Sequence, residues 1–128
     1  MLWYIAAGSA IGGVSRYLVG GVVQRAGGSG FPIGTLVVNL TGSFLLGLFL
    51  RYAVDTPTLT SEWRAFLTVG FCGGYTTFST FGYETIRLIQ DGDETRAILY
   101  VAVSLIAGML AVIVGMTAAR GLRGRTDG

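Results

Sequence analysis

The residues best placed to do chemistry in this chain carry no charge: Thr35, Asn39, Phe78, Ser79, Thr80, Phe81, Tyr100 and Ser104. The primary amide of Asn39 offers two donors, which suits a small, strongly hydrated anion that accepts hydrogen bonds. Thr35 stands one helical turn earlier on the same face. Phe78 and Phe81 are three apart and share a helix face. An aromatic ring has a negative face and a positive edge, so two ring edges can meet an anion without carrying charge. A neutral site suits an ion that must bind and still leave. Tyr100 and Ser104, four apart, share a face in the same way. Each group also has a plainer reading. The Phe pair can be helix packing. Asn39 can be an interhelical hydrogen bond worth ~0.6 kcal/mol. Tyr100 can be an interfacial anchor. The hydroxyls of Thr76, Thr77, Ser79 and Thr80 can bond their own preceding turn.

Covalent chemistry finds less support. The chain has no histidine and one cysteine, Cys72. That excludes an internal disulfide framework and argues against a structural zinc site. No nucleophile–base pair is visible, and no G-x-x-x-x-G-K string offers a phosphate loop. The reading is a non-enzyme.

The elements that must hold these residues are membrane spans. Only 12% of the 128 residues are charged, against about 25% in a soluble domain. Mean hydropathy is +0.64. Charge-free stretches run over 1–15, resumed after Arg16 to Gln24, then 26–50, 65–83 and 97–119. Each is near or above the ~20 residues that cross hydrocarbon. The expected fold is an all-α membrane protein with transmembrane helices at about 2–24, 31–53, 63–89 and 96–119, in one domain over 1–128. The first helix does not read as a signal peptide, because it lacks a basic leading region and Arg16 interrupts it. Arg16 lies roughly 4–5 Å from the middle of its span at ~1.5 Å per residue. Buried charge in a membrane is a functional hypothesis by default, and we assign Arg16 to a vestibule or interface. Glu84, one turn after Phe81, lines a pore mouth or marks the membrane edge.

The third span is unusual. Gly73-Gly74 is followed by Thr76, Thr77, Ser79 and Thr80. Broken backbone at membrane depth survives only when buried in protein or lining a wet cavity. A break in this helix is therefore expected, with functional consequence.

Loops are short: 26–30 with Pro32, Asp55-Thr56-Pro57-Thr58, and Asp91-Gly92-Asp93-Glu94. Ser61-Glu62 reads as an N-cap with an acidic first turn. The tail from Gly121 reads as polar and frayed. All nine basic residues are Arg. Arg51, Arg64, Arg120, Arg123 and Arg125 fall on the side of the termini, and Arg25, Arg87 and Arg96 on the other. That near balance gives little orientation bias and allows insertion both ways. The sequence pI of about 9.0 does not imply nucleic acid, since the net charge is only +2 and the one cluster, Arg120/Arg123/Arg125, is juxtamembrane. One small subunit can hardly enclose a wet path. Gly8/Gly12 and Gly42/Ser43/Gly47 support close helix contacts within or between subunits, and a homo-oligomer is the natural solution.

Three strings now stand in order: Gly12-Gly13-Val14-Ser15-Arg16-Tyr17, Gly34-Thr35-Leu36-Val37-Val38-Asn39, and Gly73-Gly74-Tyr75-Thr76-Thr77-Phe78-Ser79-Thr80-Phe81. With these the chain resembles the Fluc fluoride channels, also called the CrcB family, over essentially its whole length. The resemblance implies an antiparallel, dual-topology homodimer with two fluoride pores. It implies a structural sodium ion at a helix-three break, held by backbone carbonyls of Gly73 and Thr76. It implies pore roles for Asn39, Phe78, Phe81, Tyr100 and Ser104. One departure is Gly108, where some family members carry a further hydroxyl, so the polar track on helix four is shorter or completed by water.

The expected function is passive export of cytoplasmic fluoride across the inner or plasma membrane of a prokaryote. Neutral HF enters, dissociates, and leaves an anion that needs a path out. The rival is a small dual-topology multidrug or cation exporter. That mechanism needs a membrane carboxylate, for which Glu84 alone qualifies.

Overall fold

A computed structural model describes residues 1–28 and 30–126, with the backbone alone at Thr126. Helix α1, Leu2–Gly27, closes on Gly28, whose φ of 60° is left-handed and whose N–H bonds Gln24 O at 3.2 Å. Glycine reaches that conformation without a Cβ penalty. Ser29, within the expected first loop, lies outside the described residues. Helix α2 covers Ile33–Asp55. Pro32 precedes it rather than joining its first turn, with φ −78° and ψ 63°.

The third span comes in pieces. Helix α3, Ser61–Ala65, runs into a π-helical segment, Phe66–Cys72, then the short α4, Gly73–Tyr75. Its cap is Thr60, one residue before the expected Ser61: the Thr60 hydroxyl accepts the Trp63 N–H at 3.3 Å. After a break, α5 covers Phe78–Gln90. Gly92, at φ 81°, turns the chain into α6, Glu94–Thr126.

The break is real, but Gly73-Gly74 is not where the backbone leaves the helix. Both glycines are helical. The extended residues are Thr76 (φ −84°, ψ 157°) and Thr77 (φ −149°, ψ 114°). Gly74 serves close packing instead. A Cβ there would sit 2.7 Å from Ser9 O of α1. Gly8 and Gly12 repeat the device from the other side, each Cβ blocked by a backbone carbonyl of the π-helical segment. Small residues let membrane helices approach backbone to backbone, and here they lock α1 to the first half of the third span. Gly47 meets the Val112 carbonyl of α6 in the same way. The small-residue pairs noted in the sequence therefore work within the subunit.

Helices α2 and α6 are each long and apolar enough to cross a bilayer, with mean hydropathies of 1.9 and 2.7 over their most apolar stretches. Most of α6 faces outward, exposing Ile98, Ile106, Met109, Ile113 and Val114. A continuous apolar surface of that kind is stable in lipid and a liability in water. At ~1.5 Å per residue, the 33 residues of α6 reach about 50 Å, beyond the ~30 Å hydrocarbon core. The tail expected to fray from Gly121 is helical to Thr126. Asp55 at the end of α2 holds it: one carboxylate oxygen takes Arg123 Nη1 at 3.2 Å and the other takes Arg51 Nε at 3.1 Å. The buried core lies at the opposite end, where Leu36, Leu88, Ala97 and Tyr100 pack together.

Candidate functional site

The break at Thr76–Thr77 is stitched by Asn39. Its Nδ2 donates to Thr77 O at 3.0 Å, and its Oδ1 accepts the Thr77 N–H at 2.7 Å. The local cause is legible in the residues. A continuous helix would send the Thr77 N–H to Gly73 O, four residues back. The amide of α2 intercepts it. The Thr80 N–H, which would return to Thr76 O, goes to Thr77 Oγ1 at 3.3 Å as the cap of α5. The carbonyls of Gly73 and Thr76 are thereby released from helical pairing. Asn39 has two amide hydrogens, so one donor remains after Thr77 is served.

Two cavities meet at Thr77, which lines both. The smaller, about 290 Å³, holds Asn39, Thr76, Phe78, Phe81, Ser104 and Gly108. Phe78 and Phe81 stand with ring centroids 5.8 Å apart, tilted by 47°. Phe78 is 81% exposed at the subunit surface, whereas Phe81 packs on Tyr100 at 5.1 Å. The Ser104 hydroxyl is buried and has no hydrogen-bond partner.

The larger cavity, about 690 Å³, lies toward the α1–α2 turn and holds Arg16, Thr35, Thr80, Glu84, Arg87 and Asp91. Thr35 Oγ1 donates to Glu84 Oε1 at 2.5 Å, and the Tyr100 hydroxyl donates to Glu84 Oε2 at 3.4 Å. Glu84 is thus a half-buried acceptor node that lines the larger cavity. Tyr100, fully buried, is not an interfacial anchor. It touches the track through Glu84 and Phe81 instead of lining either cavity. Thr77 Oγ1 donates to Thr80 Oγ1 at 2.9 Å and lies 3.4 Å from Ser79 Oγ, so hydroxyls bridge the two chambers. Ser79 itself is exposed and lines neither. Thr76 Oγ1 bonds Cys72 O at 2.9 Å, the plain preceding-turn bond.

The expected site residues therefore do not line one chamber. Asn39, Phe78, Phe81 and Ser104 form one group, and Arg16, Thr35, Thr80 and Glu84 the other. Sequence reasoning passed over Thr77 as the hinge between them. Its signal was available: Thr77 sits between the Gly73-Gly74 pair and the Phe pair, where a cap for the second half-helix is needed. Gln24 was also missed. Its amide donates to Phe31 O and accepts from the Gly34 N–H, both at 3.0 Å, and so fixes the turn that carries Thr35. Among the described residues no group of three or more His, Cys, Asp or Glu could hold a metal.

The family model described as CrcB-like protein, Camphor Resistance (CrcB), matches residues 3–116. The chain belongs to the CrcB family. Among CrcB relatives, a Citrifermentans bemidjiense protein named "Fluoride-specific ion channel FluC" is 44% identical over 121 residues, covering 94% of this chain and 98% of its own length. A Geobacter sulfurreducens protein of the same name is 46% identical over 118 residues, 92% of this chain and 95% of that one. A Thermus thermophilus protein, also so named, is 46% identical over 111 residues, 87% and 88% of the two. CrcB membership fits the four helical spans and the bent third span.

Proposed function

We propose that the chain is a passive, fluoride-selective channel of a prokaryotic cell membrane, working as an antiparallel homodimer with two pores. The observation that carries this reading is the split track. Polar side chains run from Thr35 and Thr80, through Thr77, to Asn39 and Ser104, with the rings of Phe78 and Phe81 beside the last two. The relatives' shared name supplies the ion. An anion entering the larger cavity meets Arg16 and Arg87 beside the acids Glu84 and Asp91, and beyond Thr77 it meets uncharged groups only. Weak sites in series favour conduction, since each binds enough to admit and little enough to release. The ion runs down its own gradient, outward when HF has dissociated inside.

The dimer is supported by the exposure of Phe78 and Gly73 on one face of the lone subunit. A two-fold contact would bring the same groups of both subunits to one axis. The released carbonyls of Gly73 and Thr76 fit a sodium ion there, because backbone oxygens suit a hard cation and no carboxylate competes. Bound, it would tie the two breaks together and supply positive charge between the two paths. A cation exporter is disfavoured: its carboxylate must exchange protons with substrate, and Glu84 is already engaged by two hydroxyls.

Reporter fusions at the C-terminus test the assembly. They should report both sides of the membrane. Loop lysines that force one orientation should abolish fluoride resistance in a sensitive host, and an oppositely biased copy should restore it. Full resistance from one fixed orientation would reject the antiparallel dimer.

A further inference from the structure

The surplus charge of the chain stands at one end of the molecule. The Asp55–Arg123 pair ties the end of α2 to the end of α6. Residues 56–60 lead directly from α2 into α3, and the Tyr4 and Trp63 rings, 5.8 Å apart, bring the start of α1 to the same end. Five of the nine arginines lie there: Arg51, Arg64, Arg120, Arg123 and Arg125. They face three acids in the sequence: Asp55, Glu62 and, just past the end of α6, Asp127. The surplus of two equals the whole net charge of +2, because four arginines and four acids remain elsewhere. Among these, Arg96 is paired with Asp93 at 3.4 Å. At the charged end, Asp55 already holds Arg51 and Arg123. Arg64, Arg120 and Arg125 are exposed and make no ion pair among the described residues.

Neighbouring rings set the depth of these arginines. Trp3, Tyr4, Tyr52 and Trp63 are all exposed at this end, and such rings settle at the headgroup boundary of a bilayer. Helices α2 and α6 run parallel, Gly47 against Val112 and Asp55 against Arg123. Arg120 therefore stands level with Tyr52, and Arg125 farther out. Between those two arginines α6 rises about 7.5 Å at ~1.5 Å per residue, matching the polar layer of about 5–8 Å on each side of the hydrocarbon.

We infer that the exposed arginines at this end, Arg64, Arg120 and Arg125, bind the headgroups of anionic phospholipids. A planar guanidinium matches the oxygens of a phosphodiester in pairs. An anionic headgroup such as phosphatidylglycerol carries no cation of its own to compete. In the proposed antiparallel dimer one such end faces each leaflet. The inference stands apart from which ion the protein passes.

Both tryptophans of the chain, Trp3 and Trp63, lie at this end, so their fluorescence reports the lipid beside it. The full-length protein is placed in bilayers of brominated phosphatidylglycerol with plain phosphatidylcholine, and in the mirror mixture with the bromine on phosphatidylcholine. Brominated phosphatidylglycerol should quench beyond its share, with a preference of about fivefold, the weight of one arginine near an anionic surface. The preference should collapse in about 1 M salt, where the screening length is ~3 Å. It should fall severalfold in Arg120→Gln/Arg125→Gln. Equal quenching by the two lipids, or a preference that survives both salt and the double substitution, would overturn the inference. Millimolar inorganic phosphate should leave the preference unchanged. Loss of the preference to phosphate would mark a free-anion site and overturn the lipid assignment. The salt arm on the unaltered protein decides the matter if the double variant fails to fold.

Discussion

Asn39 and Thr77, thirty-eight positions apart, form a closed pair in which one side-chain amide replaces a missing helical turn. The amide donates to the Thr77 carbonyl and accepts from the Thr77 N–H. A helix break inside a membrane leaves groups that cost several kcal/mol each if unsatisfied. Asn39 supplies both partners from α2, so the residue that stabilises the break also borders the proposed path.

Asn39→Leu strips both bonds from Thr77. Leaving a buried donor and acceptor unpaired costs about 1–3 kcal/mol each. The thermal midpoint of the purified protein should fall clearly, and flux should fall with it. Asn39→Asp keeps an acceptor for the Thr77 N–H, so it should recover part of the stability and none of the flux. A leucine variant as stable as the parent would remove Asn39 from the break.

Phe78→Ile and Phe81→Ile should both impair fluoride passage, because the positive ring edge is lost. Their stabilities should differ. Phe81 packs on Tyr100 at 5.1 Å, and losing an aromatic pair costs ~0.5–1.5 kcal/mol. Phe78 is exposed on the subunit and would lose only its pair with Phe81 at 5.8 Å, whereas Phe81→Ile loses both pairs. Paired flux and melting measurements check this. Unchanged flux in both would reject the aromatic-edge model.

Much of the architecture was legible because lipid imposes it. Charge-free lengths pointed to four helical spans and the turn at Gly92 followed from residue type, while α2, expected to end at 53, runs on to Asp55. The exact break was not legible. Two adjacent glycines suggest a backbone fault by composition, yet the missing side chain of Gly74 is used by α1, whose Ser9 backbone needs the space. The fault falls at Thr76–Thr77 because Asn39 diverts the Thr77 N–H, a contact between distant positions that no local pattern encodes. The end of α6 was misjudged for a similar reason: the Asp55–Arg123 pair lies sixty-eight positions apart. At the site, residue types suggested candidates but not which of them share a cavity. The burial of Tyr100 and its bond to Glu84 depend on how α5 packs on α6.

Glu84, Thr35 and Tyr100 act as one cluster, so their substitutions should not add. Residues in one hydrogen-bond network couple by ~0.5–3 kcal/mol. In a double-mutant cycle on thermal stability, Thr35→Val combined with Tyr100→Phe should cost less or more than the sum of the single changes by that margin. Strict additivity would mean the two hydroxyls do not share the Glu84 carboxylate.

Fluoride and chloride efflux from liposomes holding only the purified protein tests the central claim most directly. The proposed channel should release fluoride rapidly once the membrane potential is clamped, with no proton or sodium gradient supplied, while chloride-loaded vesicles stay tight. Vesicles that retain fluoride, or that leak both anions alike, would contradict a passive fluoride-selective pore.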